Sequence, residues 1–336
     1  MTPSAGGRPA RALVAVVTTG GTIASTTGED GVSRPTLSGE GVLGDAAQRA
    51  GVEVRVVEAL RVDSSTTTLP QADAVRAAVA DALTDPAVVG VVVVHGTDSL
   101  EETGYLLDLH HDDERPVVVT GSQRTADAPA SDAPANLLAA LVAAADPVHR
   151  GAGVLVAFGG ALLPVAGTTK RHTTDLAAFA PAAAPLPRTA PLTPAAAPVP
   201  WPRVDVVAVV PGDDGAVLRA VLGLGARGVV LQALGSGNAT AAVVTAVRGA
   251  TAGGVPVVLT TRVPDGTVVP SYGDGGGGAD LVAAGAVPAG LLRAGQARVL
   301  LAALLRGTPA GSAEGSVDVL ALVAEQFRRR GAPALR

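Results

Sequence analysis

The chain contains no cysteine, and its 336 residues include one tryptophan and only 2% aromatic residues in all. The absence of cysteine excludes disulfide bonds, thiolate metal sites and cysteine nucleophiles. No apolar run approaches the roughly 18 residues that a membrane-spanning helix needs, because glycine, proline or a charged residue interrupts every valine and alanine stretch. We therefore expect a soluble protein without a membrane partner.

Charged residues are also scarce, at 16%, and the net charge of -5 leaves no general positive field for binding phosphates. We expect no nucleic-acid partner. Hydrophobic residues make up 48% of the chain, which is typical of a folded protein, and the length suits about two domains. The segment Met1–Arg11 leads into an apolar run without a small-residue cleavage site, so we expect a cytoplasmic location.

Lysine is nearly absent, since 24 of the 25 basic residues are arginine and only Lys170 is lysine. An amine can lose its proton and act as a base, whereas a guanidinium group stays charged. The composition therefore indicates that Lys170 occupies a position that arginine cannot fill. The alternative is that one lysine has survived by chance on the surface.

Valine-rich runs alternate with segments of helical periodicity along almost the whole chain. The runs predicted as strands are Leu13–Thr19, Val88–His95, Pro116–Thr120, Val154–Phe158, Val204–Val210, Gly228–Leu234 and Val255–Thr260. The segments predicted as helices are Gln71–Leu83, Leu100–Leu109, Ala133–Ala145, Gly215–Leu224, Ala239–Arg248 and Gly290–Leu305. Repeated β-α units of this kind predict an α/β fold with a doubly wound parallel sheet.

A change in composition divides the chain. The segment Pro181–Arg203 holds eight prolines among alanine and leucine, too many for a helix or a central strand. We predict a larger N-terminal catalytic α/β domain over residues 1–185, a proline-rich linker over 186–203, and a smaller C-terminal α/β domain over 204–336.

Polar residues follow several predicted strands, at the edge of a parallel sheet where ligands bind. The segments concerned are Thr18–Ala24, His95–Asp98, Thr120–Arg124 and Gly235–Asn238. The spacing of Ser99 and Glu102 fits a capping box, so we expect them to start a helix. Asp98 is a candidate for catalysis, with helix capping as the alternative.

The histidines offer no convincing base. His110, His111 and His149 lie in polar stretches and are expected on the surface, and His95 is expected in the core. Neither a G-x-S-x-G motif nor a metal-ligand spacing occurs, so the residues favour acyl transfer by threonine, supported by lysine and aspartate, without metal or cofactor. The glycines before Thr22 do not form a G-x-G-x-x-G motif, and a plain β-turn is their alternative interpretation.

Three segments resemble the signature regions of the bacterial-type L-asparaginases. They are TTGGTIAS at Thr18–Ser25, VVVVHGTDSLEETGYLLDL at Val91–Leu109 and TTKRHTTDLAAF at Thr168–Phe179. Smaller matches occur at Val62–Ser65, Ser131–Leu137, Gly235–Asn238 and Gly295–Leu305. The resemblance extends over nearly the whole chain in the family's order.

The resemblance implies an amidohydrolase that converts L-asparagine to L-aspartate and ammonia through a threonine acyl-enzyme, and it allows weak glutaminase activity. Thr22 matches the nucleophile, and Thr97, Asp98 and Lys170 match a second hydroxyl, acid and base set. The matched substrate-binding residues are Ser64 for the α-carboxylate, Asp98 for the α-ammonium group, Ser122 beside the amide, and Asn238 supplied by a neighbouring subunit. Homodimers or homotetramers are implied.

Two departures leave open which group activates Thr22. Relatives often carry a tyrosine in the loop that corresponds to Ser25–Pro35, and some supply an acidic residue from a neighbouring subunit, yet Val263–Gly278 has no glutamate. A catalytically impaired amino-acid-binding sensor of the same fold is therefore the alternative. An amidotransferase subunit and a nucleotide-binding protein rank behind it.

Overall fold

The structure, a computed structural model, describes residues 11–28, 30, 33–36, 39–195, 199–308 and 318–333. The strands are β1 (Leu13–Gly20), β2 (Ser25–Thr27), β3 (Ser33–Pro35), β4 (Glu53–Val62), β5 (Val88–Val94), β6 (Val117–Thr120), β7 (Val154–Phe158), β8 (Ala161–Pro164), β9 (Thr169–Lys170), β10 (Phe179–Ala180), β11 (Val204–Ala208), β12 (Gly228–Ala233), β13 (Val257–Thr261) and β14 (Val287–Pro288). The α-helices are α1 (Gly39–Leu43), α2 (Ala46–Ala50), α3 (Leu69–Ala82), α4 (Leu100–His110), α5 (Ala133–Ala145), α6 (Ala216–Gly223), α7 (Ala241–Ala252), α8 (Gly278–Ala283), α9 (Ala294–Arg306) and α10 (Val319–Gly331). Met1–Arg11, on which the cytoplasmic prediction rests, lies outside the described residues except for Arg11.

The larger sheet has six strands in the order β4-β1-β5-β6-β7-β8. Neighbouring strands run parallel except β8, which is antiparallel to β7. Helices α2 and α5 pack on one face, and α3 and α4 pack on the other. Because both faces are covered, the central strands are continuous valine runs, and the predicted doubly wound sheet is confirmed.

The smaller sheet has four parallel strands in the order β11-β12-β13-β14. Helix α9 packs against β11, β12 and β13 on one face of this sheet. Helices α6 and α7 pack against the residues of the same strands that point to the other face. The predicted pair of a larger N-terminal and a smaller C-terminal α/β domain is therefore confirmed. The boundaries given above, 1–185, 186–203 and 204–336, stay a prediction.

The two domains share an apolar core. Helix α4 of the larger domain packs on α9 of the smaller one, and α10 packs beside α9. The most deeply buried members of this shared core are Leu106, Leu109, Leu292, Leu300, Leu301, Val323 and Phe327. Burial of this size fixes the position of the C-terminal domain against the sheet that carries the predicted site.

The proline-rich segment Pro181–Arg203 contains no helix or strand among its described residues, as its composition indicates. It runs along α4, where the Leu192 N–H donates to Leu109 O at 2.6 Å and His110 Nδ1 lies 2.8 Å from Leu192 O. The expected surface position of His111 is wrong, and His110 is half-buried beneath this segment. His111 is buried, and burial lowers the pKa of both imidazoles.

Several elements differ from the sequence expectation, among them β4, α10 and the start of α9. Strand β4 was not predicted, because as an edge strand it consists of half-buried and exposed residues instead of a buried apolar run. Helix α10 was not predicted either. The predicted helix Gly290–Leu305 begins only at Ala294, since Gly290 has φ +63° and any Cβ on it would meet the carbonyl of Gly331.

The predicted capping box at the start of α4 is wrong. Ser99 does occupy the N-cap position, but its hydroxyl donates to Ser64 O at 2.6 Å and makes no capping bond. The Ser99 hydroxyl makes a tertiary contact instead of the local capping bond that the sequence pattern predicts. Helix α3 does carry a capping box, formed by Thr68 and Gln71.

Candidate active site

Four neighbouring strands of the larger sheet end at the same edge, and the predicted polar residues follow them there. Ser64 comes after β4, Thr22 after β1, Thr97 after β5 and Ser122 after β6. Because parallel strands point the same way, residues far apart in sequence meet at this edge. The remaining predicted residue of this domain, Lys170, lies on β9.

Thr22 begins a short 3-10 turn directly after two glycines with left-handed backbone, Gly20 at φ +97° and Gly21 at φ +84°. Gly21 lies against Gly96, since a Cβ added to Gly21 would come within 2.5 Å of the Gly96 Cα. Only glycine permits both the backbone angle and the close approach. The two hydroxyl-bearing turns that lead into Thr22 and Thr97 are therefore in direct backbone contact.

The amine of Lys170 reaches both acidic and hydroxyl groups at the end of β5. Its Nζ donates to Thr97 Oγ1 at 2.8 Å and to Asp98 Oδ1 at 2.9 Å. The Lys170 side chain is 22% exposed, whereas that of Asp98 is 57% exposed and open to a ligand. This position does not fit a lysine that has survived by chance on the surface. Such an amine would point into solvent, whereas Lys170 Nζ binds Thr97 and Asp98.

Ser64 is buried between the neighbouring turns. Its hydroxyl accepts from the Asp98 N–H at 3.2 Å, and a Cβ added to Gly96 would lie 2.5 Å from that hydroxyl. Its carbonyl accepts from Ser99 Oγ. Ser64 thus ties the turn after β4 to the turn after β5 and stands next to Asp98.

Ser122 is buried, and its hydroxyl donates to Arg124 O at 2.7 Å. The loop around it is fixed by Asp132, whose carboxylate accepts from the backbone N–H groups of Gln123 and Arg124, both at 3.0 Å. Asn136 adds a donor to Asp132, also at 3.0 Å. This network holds the backbone at residue 122 rigidly beside the end of β5.

The sequence did not single out Gln123, although it stands within the segment that follows β6. Thr97 Oγ1 donates to Gln123 Oε1 at 3.4 Å, and Gln123 Nε2 donates to Asp175 O at 3.1 Å. The chain of donors therefore runs from Lys170 to Thr97 and on to Gln123. For Gln123, the position directly after β6 was the only signal in the sequence.

Glu101 was also missed, because the sequence placed it on a helix without a role. Its Oε2 accepts from the Lys170 backbone N–H at 2.5 Å. Burial, with a smaller contribution from the charge of Glu102, raises the pKa of the Glu101 carboxyl to about 8. A carboxyl group thus supports the backbone of Lys170 from beneath the site.

Asn238 is not brought together with the other predicted residues of its own chain. It lies in the C-terminal domain after β12, where its Oδ1 accepts from the Gly278 N–H at 3.1 Å. Within the described part of the chain its only further bonds are backbone contacts with Leu234. A role for Asn238 at the site therefore needs a second subunit.

Neither tyrosine of the chain stands in for the residue missing from the loop after β1. Tyr105 is buried in α4, and burial raises the pKa of its hydroxyl. Tyr272 is 63% exposed in the C-terminal domain. Residues 29 and 31–32 of the stretch Ser25–Pro35 lie outside the described residues.

Comparisons with known proteins match this architecture. The family model described as "Asparaginase, N-terminal" matches residues 13–193, and the one described as "Glutaminase/Asparaginase C-terminal domain" matches residues 203–313. The "L-asparaginase" of Bacillus licheniformis is 31% identical over 305 residues, which cover 87% of this chain and 95% of the relative. The chain belongs to the asparaginase family.

Further asparaginase relatives agree. The "Probable L-asparaginase" of Deinococcus radiodurans is 39% identical over 230 residues, 64% of this chain and 70% of that protein. The crystal structure of a "Probable Cytoplasmic L-asparaginase from Campylobacter jejuni" superposes with a TM-score of 0.78 at 24% identity, over 95% of this chain and 100% of the other. This last likeness supports the asparaginase fold.

The described part of this asparaginase contains no group of three histidine, cysteine, aspartate or glutamate residues that could hold a metal ion. None of its described helices is long and apolar enough to cross a bilayer. The groups gathered at the strand ends are hydroxyls, one carboxylate and one amine. Such groups can bind a small zwitterion and exchange protons with it.

Proposed function

We propose that this asparaginase hydrolyses the side-chain amide of L-asparagine to L-aspartate and ammonia through an ester on Thr22. The contact of Lys170 Nζ with Thr97 Oγ1 at 2.8 Å and with Asp98 Oδ1 at 2.9 Å carries the proposal. The relatives are L-asparaginases by name, and this supplies the substrate class. The C-terminal family is described as glutaminase as well as asparaginase, so a weak activity on L-glutamine belongs to the proposal.

In the first step, Thr22 Oγ bonds to the amide carbon while backbone N–H groups near Thr97 stabilise the oxyanion. The carbon–nitrogen bond then breaks, and the leaving nitrogen takes up the hydroxyl proton of Thr22 to depart as ammonia. The product of this step is an aspartyl ester on Thr22. The absence of side chains at Gly20 and Gly21 lets the turn before the nucleophile pack against the backbone of Val62 and Gly96.

In the second step, water bonds to the ester carbon and the bond to Thr22 Oγ breaks. The water gives a proton to Thr97 Oγ1 while Thr97 passes its own proton to the unprotonated amine of Lys170, and a proton returns to Thr22. For this step the Thr97 hydroxyl turns from Gln123 Oε1 to Lys170 Nζ, which lies 2.8 Å from Thr97 Oγ1, and passes its proton to the amine.

Substrate specificity rests on the groups beside the reacting centre. We propose that the Asp98 carboxylate binds the α-ammonium group and that Ser64 binds the α-carboxylate. We assign the backbone of Ser122 a place beside the amide, in a loop that the bond from Ser122 Oγ to Arg124 O helps to fix. When both charged groups on the substrate Cα are bound, the side-chain amide lies at a fixed distance from Thr22. Such positioning lowers the activation barrier.

Ammonia release from L-asparagine tests the proposal. We expect the wild-type chain to release ammonia, with a lower rate on L-glutamine. Thr22→Ala removes the nucleophile and lowers kcat by about 10⁴-fold or more. Lys170→Arg keeps the positive charge but removes the base, and lowers kcat by about 10²- to 10⁴-fold.

A matched control is Thr84→Ala, which removes a threonine hydroxyl that donates to Asp81 O at the far end of the sheet. It is expected to retain full activity. Asparagine binding without ammonia release, in folded wild-type protein, contradicts the proposal and favours the amino-acid sensor. Unchanged kcat in Lys170→Arg contradicts the proton-transfer role.

We also propose that the site is completed across a subunit contact in a homodimer or homotetramer, with Asn238 supplied by the neighbour. The absence of any bond between Asn238 and the site of its own described chain supports this. Mixing two impaired variants, Thr22→Ala and Asn238→Ala, tests it. A mixed dimer holds one site with both residues intact, so activity returns on mixing, whereas a site within one chain gains nothing.

A cytoplasmic location is the remaining proposal. The Campylobacter jejuni relative supports it, since that protein is described as a probable cytoplasmic L-asparaginase. Fractionation of the native host with an antibody against the chain tests it, and recovery outside the cytoplasmic fraction contradicts it.

A further inference from the structure

The strand that carries Lys170 has little of its own to hold it. Strand β9 contains two residues and pairs only with the two residues of β10. Two residues of pairing do not fix a strand that lies outside both main sheets. The position of the amine therefore also depends on contacts of the neighbouring residues, both 165–169 just before it and Arg171 just after it, whose guanidinium group binds Asp265.

The C-terminal domain binds the turn at residues 165–169 through Gln296 on α9, beside bonds within the N-terminal domain such as those from Val165 N–H to Val154 O and from Thr168 Oγ1 to Pro164 O. Gln296 Nε2 donates to Val165 O at 2.8 Å and to Thr168 O at 3.0 Å, and its Oε1 accepts from the Gly167 N–H at 2.7 Å. The side chain is fully buried, at 0% exposure. One amide thus binds three backbone groups of the turn that leads into β9.

The same amide reaches the helix on the other side of Lys170. A third and longer contact of Gln296 Nε2 goes to Glu101 O at 3.3 Å, so its two N–H groups serve three carbonyls. Glu101 in turn accepts from the Lys170 N–H through its carboxylate. The backbone N–H of Lys170 is therefore bonded to Glu101. Gln296 binds the backbone on both sides of this bond, at Glu101 and in the turn at residues 165–168.

The helix can approach this closely because the residue before Gln296 is Gly295. A Cβ on Gly295 would lie 2.3 Å from Glu102 Oε1. The approach brings the first turn of α9 against the first turn of α4, and it excludes water from the amide of Gln296. In such surroundings each unpaired carbonyl costs free energy, so the bonds of Gln296 are hard to replace.

We propose that Gln296 is the positioning residue for Lys170, so that the C-terminal domain sets the place of the base in the N-terminal domain. This inference rests on the proposed function, in which Lys170 moves the proton. Gln296 does not touch the substrate. It acts by holding the turn before β9 so that Nζ meets Thr97 and Asp98 at hydrogen-bond distance.

The variant Gln296→Met tests the inference, because methionine keeps the length of the side chain but has no N–H group. We expect kcat on L-asparagine to fall by about 10²-fold, the effect of displacing a catalytic group by about 1 Å. We expect KM to change by less than about threefold, since Asp98 and Ser64 stay in place. Gln296→Asn, which keeps the amide but cannot span both Gly167 and Val165, is the second variant and loses activity in the same way.

The matched control is Leu301→Ala on the same helix. Leu301 is fully buried and lies against Gly228 of the smaller sheet, away from the site. We expect Leu301→Ala to lower Tm without affecting residues 165–170. At temperatures below its unfolding transition, its kcat therefore stays that of the wild type. An equal loss of kcat in Leu301→Ala contradicts the inference, because any damage to α9 would then have the same effect.

A second readout needs no substrate. Since Lys170 is the only lysine, acetylation by acetic anhydride followed by mass spectrometry of its peptide reports on one side-chain amine. We expect its pH profile of reactivity to move in Gln296→Met and Gln296→Asn, and to stay unchanged in Leu301→Ala. An unchanged profile and kcat in both Gln296 variants overturns the positioning role.

The two proposals fail separately. If wild-type protein releases ammonia and Lys170→Arg does not, the proposed function stands whatever Gln296 does. If no ammonia is released at all, the proposed function fails, and the acetylation profiles still decide whether Gln296 sets the environment of the amine.

Discussion

At residue 101 a carboxyl group lies in surroundings that favour its protonated form. Burial and the neighbouring Glu102 raise the pKa of Glu101 to about 8, and burial also raises the pKa of Glu102. In the unfolded chain both groups ionise at ordinary values. The folded protein therefore binds more protons than the unfolded chain between about pH 4.5 and pH 8, and its stability falls as pH rises through that window.

The variant Glu101→Gln removes one of these groups and keeps an oxygen to accept from the Lys170 N–H. We expect the free energy of unfolding to fall less steeply from about pH 4.5 to about pH 8 in this variant than in the wild type, with Glu102 responsible for the remaining slope. Urea midpoints at several pH values measure it. Glu114→Gln, at a side chain 77% exposed, controls for the loss of a carboxyl group. Equal slopes for wild type and Glu101→Gln would contradict the assignment.

Single residues differ in how far the sequence predicts their place. Lys170 was predictable because a chain that otherwise uses arginine keeps one amine. Gln296 was not, since an amide has no preferred chemistry and its partners lie 128 to 195 positions away. A polar residue within the apolar stripe of α9 was its only signal.

The turns after β1 and β5 are elements whose shape depends on glycine. Gly21 combines a left-handed backbone with contact to Gly96, and the hydroxyl residues follow directly. Where two backbones touch, a single methyl group has no space. This makes the turn a sharp target for substitution.

We expect Gly21→Ala to lower the free energy of unfolding by more than about 3 kcal/mol and to abolish ammonia release, because strain and clash add. The comparison is Gly51→Ala, at φ +70° with nothing within 4 Å of the added Cβ. It bears the backbone strain alone, about 1–2 kcal/mol, and keeps activity. Denaturant unfolding and the ammonia assay separate the two, and similar losses in both variants would contradict a contact between the turns.

Among the elements, those buried on both faces were predicted best. The valine runs of β1, β5, β6 and β7 admit only one interpretation, since a parallel sheet covered by helices requires them. Strand β4 lies at the edge, where its residues are half-buried or exposed, so its composition carries no strong signal. The start of α4 failed for a different reason, because Ser99 binds a residue 35 positions away instead of its own helix.

At the scale of the whole molecule, one apolar core joins the two domains. Helices α4, α9 and α10 bury side chains from both domains in a single cluster. The only tryptophan, Trp201, belongs to the proline-rich segment and stacks on Arg306 of α9, whose guanidinium carbon is 4.4 Å from the ring centre. Its fluorescence therefore reports on the joint between the domains.

We expect unfolding followed by Trp201 fluorescence and by far-UV circular dichroism to coincide in wild-type protein. Phe327→Ala, which opens a cavity at a side chain 1% exposed, lowers the free energy of unfolding by about 3–5 kcal/mol and moves both curves together. The exposed Val148, changed to alanine, is the control. Two separate transitions in wild-type protein would contradict a shared core.

The amide of Gln296 crosses the seam between the two halves, and this limits how the chain can be recombined with its relatives. The proline-rich segment invites a crossover, since it lies outside both sheets. A hybrid joined there would take Gln296 from one parent and the turn at residues 165–170 from another. Libraries of such hybrids should inherit both segments from the same parent, or the amine will meet a support that evolved for a different turn.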